Sequence, residues 1–376
     1  MQSRKLIENH GGFFISHPRK TCARYNGVNN SIVIWFNHPM KNRLSLNRRQ
    51  IIAAATAFTA HSAIPGVRGE HLFDSPSRDK AQIAITFDLE MSRHYPKRGQ
   101  TEWDYQKGNL DAATKQYSLE AGEIAAKRGV PIHFFAVGRV LEQANIDWLK
   151  TLSRQGHAIG NHTYDHINVL AATAEQTQFR FQRAPWLVEG KSVHDVIREN
   201  IKMTEVALRK RAGIKQNGFR TPGGFYKALD EREDLQKLML ELGFKWISCK
   251  YPSHKSERTE TGVATEVYVD IVRAQQYAQP YRYPSGLIEI PMSPISDVTA
   301  FRSRFWKLPE FLKAIEMSIH WTIKEKAVFD FLCHPSCLVV EDPKHESLNL
   351  MCDLVEAHSN RAEIVSLDKI AATVAE

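Results

Sequence analysis

From about residue 80 onward, short runs of β-branched and aromatic residues alternate with segments whose apolar positions recur at helical spacing. The pattern predicts strands at 82–90, 132–137, 158–163, 218–221, 245–250, 287–292, 328–333 and 364–367. Amphipathic stretches near 110–128, 140–155, 195–211, 231–242, 309–325 and 347–358 predict helices between them. Strands that mostly alternate with helices imply one α/β domain over residues 78–376, with a parallel sheet closed into a barrel. Two connections, roughly 167–193 and 252–285, are too long for a minimal strand–helix unit. Long connections in compact folds line the functional face or move.

Residues 1–70 break this pattern. Ten Lys and Arg residues face only Glu8 and Glu70 there, so this segment holds the whole net charge of +8. The remaining 306 residues carry equal numbers of basic and acidic side chains. A neutral body without a basic stripe excludes nucleic acid as the expected partner. Within the segment, Asn47-Arg48-Arg49-Gln50 precedes a mild apolar stretch from Ile51 to about Ala60. Small residues and a Pro65-Gly66 break follow. A positive region, a short apolar region and small residues at a cleavage point predict an export signal over about 40–66. The paired arginines are similar to a twin-arginine signal, which implies a periplasmic or extracellular destination. The alternative is a buried or interfacial helix. Met40 is the expected true start. No run of eighteen or more apolar residues predicts a membrane span.

Four local patterns could carry chemistry. In Ala84-Ile85-Thr86-Phe87-Asp88-Leu89-Glu90, strand alternation puts Thr86, Asp88 and Glu90 on one face and Ile85, Phe87 and Leu89 on the other. Two carboxylates on one face of an apolar strand need a compensating cation if buried, and none if the strand end is exposed. In His162-Thr163-Tyr164-Asp165-His166, an i,i+4 spacing on a helical turn lets both imidazoles reach one cation. A chain with 16 His also gives such pairs by chance. Arg220, before Thr221-Pro222-Gly223, is either a surface residue or the cation that Asp88 needs. His334, closing the apolar strand that ends in Phe331-Leu332-Cys333, is either a satisfied core histidine or a catalytic one. Cys333-x3-Cys337 without a second pair is weak as a zinc site. A buried thiol or one disulfide fits these cysteines better.

Together, Thr86-Phe87-Asp88-x-Glu90, His162-Thr163-x-x-His166, Arg220-x-Pro222 and Leu332-Cys333-His334-Pro335 resemble the motifs of the polysaccharide deacetylases (the NodB-homology type) in order and spacing. The intervening segments 131–138 and 156–162 resemble that family too, and the likeness spans roughly residues 80–370. It implies a deformed (β/α)7-8 barrel with the site at the C-terminal strand ends. It also implies Asp88 as general base, Glu90, His162 and His166 as ligands of a divalent metal (zinc, or cobalt or a similar ion), Arg220 as the partner of Asp88, and His334 as general acid. The implied partner is an N-acetylated glycan.

Two departures stand out. The family usually has adjacent acids where this chain has Asp88-Leu89-Glu90, so a shifted assignment with Asp88 on the metal stays open. No Asp lies beside Trp246, where the family often has one for the acid histidine, which leaves Asp297 or Asp330 as candidates. Hydrolysis of a cyclic amide or imide, as in allantoinase-like members, is the alternative activity, and a catalytically inactive carbohydrate-binding protein is the third reading. Phe179, Phe181, Trp186, Tyr268, Tyr277, Tyr281 and Tyr283 in the long connections are candidates for stacking on sugar rings.

Overall fold

The computed structural model describes residues 79–91 and 106–375, so the segment read as an export signal lies outside them. The strands are β1 (Ala81–Leu89), β2 (His133–Ala136), β3 (Ala158–Asn161), β4 (Phe219–Phe225), β5 (Trp246–Lys250), β6 (Arg258–Thr259), β7 (Gly262–Val263), β8 (Tyr281–Arg282), β9 (Ile288–Glu289), β10 (Val328–Cys333) and β11 (Ala362–Ile364). The main sheet runs β10-β1-β2-β3-β4-β5-β9-β8, with β11 also paired to β1. Every pairing in it is parallel except β8 with β9. Strand β1 takes β11 along its first residues and β2 along its last, while β10 runs along the other edge.

The free edge of β10 is closed, without a regular ladder, by residues after β9 and before β8. Ser293 N–H donates to Asp330 O at 2.9 Å, and Asp330 N–H donates to Ser293 Oγ at 3.0 Å. The Gln275 and Gln279 side-chain amides donate to Val328 O, and Gln279 Oε1 accepts from Val328 N–H. These bonds satisfy backbone groups that an open edge would leave unpaired. The result is a deformed (β/α) barrel.

The helices are α1 (Ala112–Lys127), α2 (Asp147–Arg154), α3 (Phe179–Arg183), α4 (Val193–Ala207), α5 (Glu233–Glu241), α6 (Thr265–Ala274), α7 (Leu308–Glu325), α8 (Pro335–Glu341), α9 (Glu346–Ala357) and α10 (Leu367–Ala375). All nine residues of β1 are buried, as expected of a parallel strand covered on both faces. This removes the exposed-strand reading of its carboxylates. Ile83, Ile85, Phe87 and Leu89 belong to the outer core with Phe311, Ile315 and Ile319 of α7. Ala84 clusters instead with Phe135, Trp246, Ile288 and Val328, which Leu367, Ile370 and Ala371 of α10 join. That cluster fills one end of the barrel and leaves Thr86, Asp88 and Glu90 toward the other.

Most expected elements are present within a residue or two. The exceptions have local causes. The predicted strand 364–367 is displaced: β11 spans 362–364 and Leu367 already opens α10. The predicted helix 140–155 is a 3-10 turn at Gly138–Glu142 followed by α2. The long connection 252–285 holds the β6–β7 hairpin and α6, so it is structured. Cys249, Cys333, Cys337 and Cys352 are free and buried, so the disulfide alternative fails for the described residues.

Glu289 of β9 is fully buried. Its Oε1 accepts from the backbone N–H groups of Cys249 and Lys250 at 2.7 Å each, and its Oε2 accepts from Tyr283 Oη–H at 2.9 Å. Burial raises its pKa from 4.5 to about 7, with the donated hydrogen bonds only partly offsetting. The folded state then holds a proton that the unfolded state has released. This contribution is present below about pH 4.5 and is lost as pH rises through about 7, a change of about 3 kcal/mol. Glu289→Gln is expected to match the wild type in urea unfolding at pH 5 and to exceed it by roughly that amount at pH 8. Parallel stability profiles for the two proteins would contradict this.

Candidate active site

The inward face of β1 supplies Asp88 and Glu90, which are 4% and 5% exposed. The cation for Asp88 comes from β4. Arg220 is completely buried, with its guanidinium 4.4 Å over the Phe135 ring. Its Nη1 donates to Asp88 Oδ1 at 3.2 Å and to Thr86 Oγ1 at 2.7 Å, its Nη2 to Asp330 Oδ2 at 2.5 Å, and its Nε to Ser248 Oγ at 3.2 Å. A buried guanidinium held by two carboxylates and two hydroxyls has little freedom to move. The surface reading of Arg220 is therefore excluded. Gly218 admits the strand here: its φ is +70°, and a Cβ would lie 2.1 Å from the Trp246 ring.

The histidine pair is presented differently from the expectation. Residues 162–166 are a loop, with Thr163 and His166 at φ of +57° and +58°. Left-handed backbone at two non-glycine residues is costly and persists only where neighbours enforce it. Those neighbours are present. Thr163 O accepts from Gly138 N–H at 2.8 Å, Thr163 Oγ1 from Ile167 N–H at 3.0 Å, and Asn200 Oδ1 from Asp165 N–H at 2.9 Å. The loop brings both imidazoles to Glu90, with Oε1 lying 3.2 Å from His162 Nε2 and 2.8 Å from His166 Nε2.

The other nitrogen of His162 decides what its Nε2 can do. His162 Nδ1 lies 2.9 Å from Arg220 O, which can only accept, so Nδ1 carries the hydrogen. Nε2 then faces the Glu90 carboxylate either through a second N–H or across a shared cation. The ligand atoms of Glu90, His162 and His166 lie within 4.8 Å of one another, close enough to share one ion. Asp88, Glu90 and His334 form a second such group, and neither group contains a cysteine. The Cys333-x3-Cys337 spacing is thus not a metal site among the described residues.

His334, just past β10, directs Nε2 to within 3.4 Å of Glu90 Oε1. Its Nδ1 donates to Asp297 Oδ1 at 3.0 Å, and its backbone N–H donates to Asp297 Oδ2 at 3.2 Å. Of the two aspartates considered for this role, Asp297 fills it, and Asp330 serves Arg220. Burial alone would push His334 down, but the Asp297 and Glu90 carboxylates outweigh it and push its pKa up to about 10. His166 is pushed down to about 3, first by burial and then by the Lys107 ammonium.

Lys107 was not legible as part of this site. It is 2% exposed, its Nζ forms an ion pair with Glu90 Oε2, and it lies 3.4 Å from His166 Nε2. Burial works against the charge of Glu90, yet Lys107 and the imidazoles hold its carboxyl well below the usual range. Among the aromatic candidates, Phe181, Tyr268, Tyr281 and Tyr283 are buried, whereas Trp186 (69%) and Tyr277 (43%) are exposed. The buried four are packing residues and drop out as sugar platforms.

Carboxylates, imidazoles and an arginine gathered at the C-terminal strand ends define a barrel enzyme. The polysaccharide deacetylase family model matches residues 76–245, and that segment belongs to the family. The match supports a hydrolase of the deacetylase class over that segment. Two solved structures share its fold. One is a Mycobacterium smegmatis protein assigned to the polysaccharide deacetylases, 16% identical with a TM-score of 0.54 over 79% of this chain and 91% of that one. The other is a Pseudomonas aeruginosa PAO1 protein assigned likewise, 14% identical with a TM-score of 0.50 over 78% and 91%. Puue allantoinase also matches at 14% identity over 78% of this chain and 89% of that one, but its TM-score of 0.46 is too low to bear on function. No curated protein matches the chain in sequence. Among the described residues, no helix is long and apolar enough to cross a membrane.

Proposed function

We propose that this chain removes acetyl groups, chiefly N-acetyl groups, from a polysaccharide or cell-wall glycan, using a divalent metal held by Glu90, His162 and His166. The observation that carries this reading is the convergence of one Glu90 carboxylate oxygen and the two imidazoles of His162 and His166, whose ligand atoms lie within 4.8 Å of one another, as a shared divalent ion requires. When bound, a zinc-like ion would polarise the acetyl carbonyl and lower the pKa of water beside it.

The chain's own groups supply the proton transfers. Asp88 takes a proton from the attacking water, and the Arg220 Nη1 bond to its Oδ1 leaves Oδ2 for that task. As the C–N bond breaks, His334 Nε2–H protonates the departing amine, and Asp297 holds the ring and favours its protonated form. The products are acetate and a free amino sugar. An export signal over residues 40–66 fits a glycan outside the cytoplasm, and that localisation is part of this proposal.

The reading is tested by supplying N-acetylglucosamine oligomers, an O-acetylated xylan and a cyclic imide to the full chain, and following acetate and ring opening separately. Acetate from the oligomers is the expected result. Ring opening alone would reassign the chemistry, and binding without turnover would make the chain a carbohydrate-binding protein.

A further inference from the structure

We infer that Lys107 is a built-in cation of the Glu90 site, which a divalent metal must displace, so that Lys107 sets how tightly the site holds metal. This inference rests on the metal assignment proposed above. The ammonium of Lys107 is paired to Glu90 Oε2 and sits 3.4 Å from His166 Nε2, while Glu90 Oε1 faces His162 and His166. One carboxylate and one imidazole are thus claimed by both the lysine and the ion. An ion sharing Glu90 and His166 with the ammonium would put two positive charges in one buried pocket, and their repulsion would disfavour full occupancy by both.

The backbone around Lys107 is fixed at the same place. Gly108 N–H donates to Glu90 O at 2.5 Å. Gly108 has φ +86°, and a Cβ there would lie 2.3 Å from Arg139 Cβ and 2.7 Å from the Arg139 carbonyl carbon. The residue after Lys107 is therefore pinned against the end of β1. Metal entry must move the ammonium by rotation of its four-carbon stem while the backbone stays in place. Without a metal, the lysine keeps Glu90 from being a buried uncompensated charge. With one, it is a competitor that neutral substitution removes.

The test uses the chelator-stripped full chain and measures zinc affinity by competition with a chromophoric chelator. Lys107→Met and Lys107→Gln are each expected to bind zinc at least tenfold more tightly than wild type, and Lys107→Arg no more tightly. Zinc should also raise the melting temperature of the two neutral variants more than that of wild type. If a neutral variant folds only with zinc present, its zinc release rate to excess chelator replaces the affinity, with slower release expected. Equal or weaker zinc retention in both neutral variants overturns the inference. His162→Ala is measured alongside. If it keeps wild-type affinity, the ligand assignment itself fails. If it loses zinc while the Lys107 variants match wild type, only the role of Lys107 fails.

Discussion

Asp88→Asn is expected to lower acetate release on the order of a thousandfold while leaving the fold intact. An asparagine is nearly isosteric, and its carbonyl oxygen can still accept from Arg220 Nη1, so the buried guanidinium keeps its partner. Asp330 and Thr86 continue to hold the other side of Arg220. The amide cannot take a proton, so the loss falls on turnover, with KM and the unfolding midpoint near wild type. A variant with unchanged turnover would show that Asp88 is not the base. A variant that also loses zinc would instead support the shifted assignment that puts Asp88, whose Oδ2 lies 3.7 Å from His162 Nε2, on the metal.

His162→Ala is expected to weaken zinc binding by more than about a hundredfold, since loss of an outer-shell partner alone typically costs 10–100-fold. Activity should fall with occupancy and recover partly at high zinc. His334→Ala gives the contrast: its imidazole is held by Asp297 and assigned to the leaving group, so zinc affinity should hold while turnover falls. Equilibrium dialysis with metal analysis separates the two. If both variants lose zinc equally, the division between ligand and acid is wrong.

The parts of this site that were legible in the sequence are those written in local alternation. The face carrying Thr86, Asp88 and Glu90 follows from strand period alone, and β10 spans the predicted Val328–Cys333 because only Asp330 interrupts its apolar run. The histidine pair was found by spacing, but its helical geometry was wrong. The spacing is blind to the left-handed Thr163 and His166, which the bonds from Gly138 N–H to Thr163 O and from Asp165 N–H to Asn200 Oδ1 enforce. Asp297 was legible only as one of two candidates and Lys107 not at all, for a related reason. They reach His334 and Glu90 across 37 and 17 residues, through an irregular segment after β9 and the connection before α1. Neither carries a periodic signal. Strand β9 is shorter than predicted because residues 290–293 bond individually to β5 and β10 outside a regular ladder.

In the proposed mechanism, turnover needs both the metal and the residues gathered around it. The most direct test is acetate release from N-acetylglucosamine oligomers by the full chain, stripped with chelator and then reloaded with zinc or cobalt. Release is expected to be lost on stripping and to return on reloading to one ion per chain. Undiminished release by protein shown to be metal-free would contradict it.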